Sequence, residues 1–316
     1  MEEVDKMSHR LKTCGAAAVL LLLLTLLSSC GQPTVPDETA TDYNQYIPSH
    51  GVTAYTKDLY IFFDSGRLFY VGRSQPSQLF PLCFQADCDH KNSSCTAWLN
   101  TPSRSIYAAG DNLYYIDADK DAKPALYRMD LSGGRELVKS LNILNEESWP
   151  GISSLGYSFR VYGSYLAIEL NLLQEDSWQH KIYLTGIDSK DEGVFLFGEE
   201  GDSDKSYIAI EFRENWLFVT EKNAADGTNT LWGYNFTTQE AVPLVEGWDI
   251  SNCFTVQDGI LYWAVTGDGV YSMDMEKKSV TKHRSFDPVS EYGAAAYDDQ
   301  YLYLTNAIRY MDSQGT

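Results

Sequence analysis

Three cysteines and one histidine fall within 13 residues, in the order Cys83-x4-Cys88-x-His90-x4-Cys95. Thiolates are soft ligands and imidazole is a borderline one. Four such donors on a short, turn-rich stretch can wrap a tetrahedral zinc ion. Four protein ligands leave no open coordination position, so such an ion would be structural rather than catalytic. Disulfides are the competing reading. Cys83–Cys88 or Cys88–Cys95 can pair, with Cys253 taking the third thiol, and connectivity is not legible from sequence.

Other chemistry is sparse. There is no Gly-x-Ser-x-Gly elbow, phosphate-cradling glycine loop or His-Glu-x-x-His helix. Beyond the leader, the histidines His50, His90, His180 and His283 are scattered. Asp117-Ala-Asp119-Lys-Asp121 begins like a calcium loop. Ala122 and Arg128 stand where that loop needs Gly and Glu, so a hairpin turn is expected instead. Acidic pairs are frequent, which keeps a two-carboxylate polysaccharide hydrolase or lyase as an alternative.

The elements that must position these residues are strands. Tyr, Phe and Trp make up 13% of the chain, and no helical period is sustained after residue 50. Residues 105–138 read as four short strands: one ending at a Gly-Asp-Asn turn, then Leu113–Asp117, Ala125–Leu131 and one from about Glu136. The same order recurs at 52–73, 159–188, 206–236, 253–274 and 294–312. The leucines of the second strands, Leu59, Leu113, Leu166, Leu217, Leu261 and Leu302, are spaced by 54, 53, 51, 44 and 41 residues. Four strands at such a period make a propeller blade, because a lone four-stranded sheet cannot bury both faces whereas blades in a ring can. The expected fold is therefore all-β: about six four-stranded blades over 51–316, with the cysteine–histidine insert at 83–95. The sixth copy stops short of its outer strand. Either Tyr43–Pro48 closes it or further chain follows.

The segment Leu-Tyr-Tyr-Ile … Leu-Tyr-Arg-Met-Asp-Leu-x-Gly at 113–134 resembles the repeat of a TolB-like family of six-bladed propellers in bacterial surface lipoproteins, largely of unknown function. The other copies match it loosely. The resemblance implies the propeller fold and a structural role for the Cys-Cys-His-Cys insert. It does not imply an activity.

The N-terminus reads as an address. Lys6, Arg10 and Lys12 precede an apolar run from Cys14 to Leu27, too short for a bilayer that needs about 20 residues. Leu27-Ser28-Ser29-Cys30-Gly31 resembles a lipobox, in which cleavage before an acylated cysteine makes Cys30 the mature terminus. Residues 1–29 are thus expected to be a signal peptide and 30–50 a lipidated, Pro/Thr-rich tether. A short membrane anchor is the alternative. Two acyl chains of the palmitate type give a stable anchor, which places the domain on the extracytoplasmic face of a bacterial membrane. The net charge is −20. Residues 1–29 carry three acids and three bases, so their removal leaves that charge unchanged. Such a surface opposes nucleic acid. The expected function is a binding or scaffold module for a glycan, peptide or envelope protein, with Trp149, Trp178, Trp232 and Trp248 near strand ends available to stack on sugars or to pack between blades.

Overall fold

The computed structural model describes residues 53–312, except 57, 84, 100–105, 131–133, 176, 191, 199–203, 248–253, 266–267, 286–294, 298–300 and 305–308. Cys30, the signal, the tether, Tyr43–Pro48, His50, Trp248 and Cys253 lie outside the described residues. Everything below belongs to the unit Pro36–Thr316.

The chain forms six antiparallel sheets in order. The first holds β1 (Thr53–Tyr55), β2 (Leu59–Asp64), β3 (Arg67–Gly72) and β4 (Gln75–Pro81). The second holds β5 (Ile106–Ala109), β6 (Asn112–Ala118), β7 (Pro124–Asp130) and β8 (Arg135–Ser140). The third holds β9 (Ile152–Tyr162), β10 (Tyr165–Gln174), β11 (Ser177–Gly186) and β12 (Val194–Phe197). The fourth holds β13 (Lys205–Arg213), β14 (Trp216–Asn223), β15 (Asn229–Asn235) and β16 (Glu240–Glu246). The fifth holds β17 (Phe254–Gln257), β18 (Ile260–Val265), β19 (Gly269–Asp274) and β20 (Ser279–Ser285). The sixth has three described strands, β21 (Ala295–Tyr297), β22 (Tyr301–Leu304) and β23 (Arg309–Asp312). In every sheet each strand pairs with its neighbour in sequence.

Tight hairpins make this meander. Ser65-Gly66 (φ 49° and 83°) joins β2 to β3, and Asp258-Gly259 (φ 51° and 72°) joins β17 to β18. Both turns need two left-handed residues, a geometry that matches the twist of the strands it joins and that glycine supplies at little cost.

All six repeat leucines sit on second strands, as the spacing predicts. Leu113, Leu166, Leu217 and Leu261 are sealed from solvent. The first sheet departs from the pattern: Ile61 is the sealed residue and Leu59 is only partly buried. Leu59 shares the face of Ile61 but lies at the start of β2, two residues farther from the Ser65-Gly66 hairpin and opposite Gly72, which has no side chain to cover it. Between sheets, first strand packs on first strand: β1 on β5, β5 on β9, β9 on β13 and β17 on β21. The fourth and fifth sheets meet through Phe218 and Phe254, with ring centroids 5.3 Å apart. The core lies in the inter-sheet spaces, where four apolar clusters are found among the described residues.

Candidate metal centre

The insert leaves the first sheet after β4 and returns to it before β5. Its backbone is pinned to β3: Leu68 N donates to Ala97 O (2.8 Å), Leu99 N to Gly66 O (3.0 Å) and Leu82 N to Leu68 O (2.9 Å). Arg67 and Trp98 form an antiparallel bridge, and Arg67 Nη1 donates to the His90 carbonyl (3.1 Å). Leu82, Ala97 and Leu99 then drop into the core between the first and second sheets, against Ile61, Ile106 and Tyr115. The insert is thus a wedge between two sheets, and its fixed ends hold the ligands in place.

Local turns bring the ligands together. Asp87 and His90 adopt left-handed conformations (φ 61° and 56°), which reverse the chain on either side of Cys88. The Asp89 carboxylate accepts from Lys91 N (3.2 Å) and the Asn92 side chain from Ser94 N (2.9 Å), two local Asx turns that bring Cys95 back to His90. The three sulfurs of Cys83, Cys88 and Cys95 and a ring nitrogen of His90 all lie within 4.8 Å of one another. His90 Nδ1 is 3.4 Å from Cys95 Sγ. Metal–ligand bonds of about 2.3 Å to sulfur and about 2.0 Å to nitrogen imply tetrahedral edges of roughly 3.5–3.8 Å. The His90–Cys95 edge is already close to that length, and the widest edge needs to close by about 1 Å, within the reach of side-chain rotation.

Burial and hydrogen bonding treat the three thiols differently. Cys95 is buried, and burial pushes its thiol up to about 12, helped by its contacts with Cys83 and Cys88. Burial also acts to raise Cys83, but the Thr96 hydroxyl and the backbone amides of Gln85 and Thr96 overcome it and bring Cys83 down to about 6. The Thr96 hydroxyl is itself buried without a well-aligned partner, beside a sulfur to which it can donate once that sulfur is a thiolate. The donor set fits a divalent, thiophilic cation, which would deprotonate all three sulfurs. Cys83, Cys88 and Cys95 are free thiols, with no disulfide among them.

The remaining sequence candidates separate. Asp119 caps its own turn, accepting from Asp121 N and Lys123 N (both 2.9 Å), so the acidic run is a hairpin. Asp117 is a correction to the reading of that run as a solvated turn. It lies inside β6, with its side chain sealed, and pairs with Arg135 at 2.6 Å. Arg135 stacks over Tyr127 and Tyr115 at 4.3 and 5.3 Å. Hydrophobic patterning could not reveal this pair, because its partners lie 18 residues apart. Trp232 packs on Phe197 in the core, Trp178 is exposed at the start of β11, and Trp149 lines an open groove between the second and third sheets.

No family model and no curated protein sequence matches this chain. Solved structures do. A prolyl endopeptidase matches at 12% identity with a TM-score of 0.52, covering 95% of this chain and 45% of that longer one. An oligogalacturonate lyase of Vibrio parahaemolyticus matches at 9% identity and a TM-score of 0.49, over 78% of this chain and 71% of its own. TolB of Acinetobacter baumannii matches at 14% identity and 0.37, over 81% and 58%. The fold is a β-propeller. The six sheets are its blades, and the cysteine–histidine insert is a wedge between the first and second blades. Likeness at this identity carries the fold and nothing about the activity.

Proposed function

We propose that this protein is a lipid-anchored, extracytoplasmic propeller acting as a binding or scaffold module, with a structural zinc ion at Cys83, Cys88, His90 and Cys95. The observation that supports this best is the four-donor cluster itself, with its ligand atoms within 4.8 Å. A complete protein shell leaves no position for substrate, so the ion's work is to hold the wedge between two blades. A rigid ring of blades then presents loops and inter-blade grooves to a glycan, a peptide or an envelope protein. Anchoring through Cys30 would keep this surface beside the membrane.

The alternative is a polysaccharide hydrolase or lyase using carboxylates near the propeller axis. Glu169 on the second strand β10 and Glu211 on the first strand β13 are engaged by neighbours in their own blades. Glu169 accepts from Ser158 and Asn171 (both 3.2 Å), and Glu211 pairs with Arg213 (3.1 Å). The binding reading therefore asks less of the structure.

The test has three arms on the purified full chain. Elemental analysis should give one zinc per chain. Mass spectrometry of the membrane-extracted protein should give a diacylated N-terminal Cys30, and Cys30→Ser should stay uncleaved. A thermal-shift panel of oligosaccharides, cell-wall fragments and peptides should give a stabilising ligand without turnover. A metal-free chain with an intact leader would overturn the proposal.

A further inference from the structure

We propose that the groove between the second and third blades binds a neutral oligosaccharide. This rests on the binding-module reading and gives it a site and a ligand class. The groove has a volume of about 740 Å³, within the range of small-ligand sites. One wall is the outer strand β8, and the other is β12 with the loop before it.

Its shape is fixed in advance. The Lys139 ammonium on β8 crosses to the third blade and donates to Thr185 Oγ1 (2.8 Å), Gly186 O (3.0 Å) and Ser189 O (2.8 Å). Trp149 is oriented by its indole N–H, which donates to Ile143 O (2.8 Å). Phe195 meets Trp149 at 5.9 Å and Tyr183 at 5.4 Å, both near edge-on. A cleft whose width and aromatic side chains are set before binding loses little entropy on binding.

The lining selects the ligand. Trp149 and Phe195 supply apolar ring surface, and Asn142, Ser148, Lys190 and Glu192 supply donors and acceptors around it. A purely apolar ligand would desolvate those polar groups without replacing their hydrogen bonds. A sugar ring satisfies both sets, with C–H faces for the aromatic surface and hydroxyls for the polar rim. Lys190 and Glu192 oppose each other in charge, and the Lys139 ammonium is occupied by three oxygens. Those oxygens are neutral, so the Lys139 charge remains and, with Lys190 against Glu192, disfavours a cation. All three of its N–H donors are taken, so it has no hydrogen bond left to offer an anion. The chain's net charge of −20 repels polyanions such as uronic-acid polymers. A neutral glycan remains.

The test is calorimetric titration of the full chain with cellohexaose, chitohexaose and xylohexaose, beside hexagalacturonate and a basic strand-forming peptide. At least one neutral hexasaccharide should bind. Trp149→Ala should weaken it at least about tenfold, Glu192→Gln should weaken it several-fold, and Trp178→Ala, at an exposed position on β11, should leave it unchanged. Trp149 also packs on the core, so Glu192→Gln and Asn142→Ala keep the test informative if Trp149→Ala does not fold. The inference is overturned if no neutral hexasaccharide binds, or if binding ignores all three groove substitutions. It is also overturned if the galacturonate or the peptide binds through these residues instead, a result that leaves the binding-module reading standing. Cleavage of a hexasaccharide would overturn that reading itself.

Discussion

Replacing Cys95 by Ser is the sharpest probe of the metal centre. The side chain is 2% exposed and touches both the ligand cluster and the core between the first two blades. A metal held at roughly 100 times its dissociation constant adds about 2.7 kcal/mol to folding, so losing it costs about that much. If the wedge also detaches, Leu82 and Leu99 lose their cover, each worth roughly 1.5–3 kcal/mol. The expected loss is thus about 3 kcal/mol with the wedge docked and roughly 6–9 kcal/mol with it released. At about 2–4 °C per kcal/mol for a chain of this size, the melting temperature falls by at least roughly 6 °C. The assay is calorimetry of wild type and Cys95→Ser, each with and without a strong zinc chelator. Chelator should lower the wild type toward the variant and leave the variant unmoved, because both act on one interaction. A wild-type chain that ignores chelator, contains no zinc and has a mass two hydrogens short of the reduced chain would refute the reasoning in favour of a disulfide.

Further outcomes follow from other contacts. Arg135→Leu strands the sealed Asp117 carboxylate and should cost roughly 3–5 kcal/mol in denaturant unfolding; adding Asp117→Leu should recover much of it. Lys139→Met removes three inter-blade hydrogen bonds and should cost about 1–3 kcal/mol, with faster amide exchange at Gly186 and Ser189. Burial depresses the His180 imidazole below its ordinary 6.5, with Glu169 opposing. The folded state therefore prefers neutral His180. Its contribution is complete above 6.5 and is lost as pH falls below that value. His180→Gln should flatten the dependence of melting temperature on pH across that window, and an unchanged slope would count against the assignment.

The sequence made the fold legible because propeller blades repeat both their hydrophobic alternation and their turns. The leucine period located every second strand. It did not locate β4, where six of the seven residues of Gln75–Pro81 are exposed and no buried face imposes alternation. The Asp117–Arg135 pair also escaped, since a charged residue in an acidic run looks solvated until its partner strand is placed beside it. The ligand cluster was legible from spacing alone, but its geometry was not. The turns at Asp87 and His90, and the anchoring of the insert to β3, come from backbone conformation that residue types only weakly encode. Trp149 was visible among four tryptophans, and what distinguishes it is the Lys139 bridge, a contact between residues about 46 positions apart.

Strands that pair only with their sequence neighbours also set the order in which the molecule can assemble. Each blade closes with little loop entropy, so folding can advance blade by blade from one end of the chain. All four metal donors lie in one short stretch after the first blade, and none waits for a later one. Metal capture can therefore precede the second blade and give it a finished surface to dock on. A zinc ion bound there, as proposed, would serve as a template for propagation as well as a brace between the first two blades.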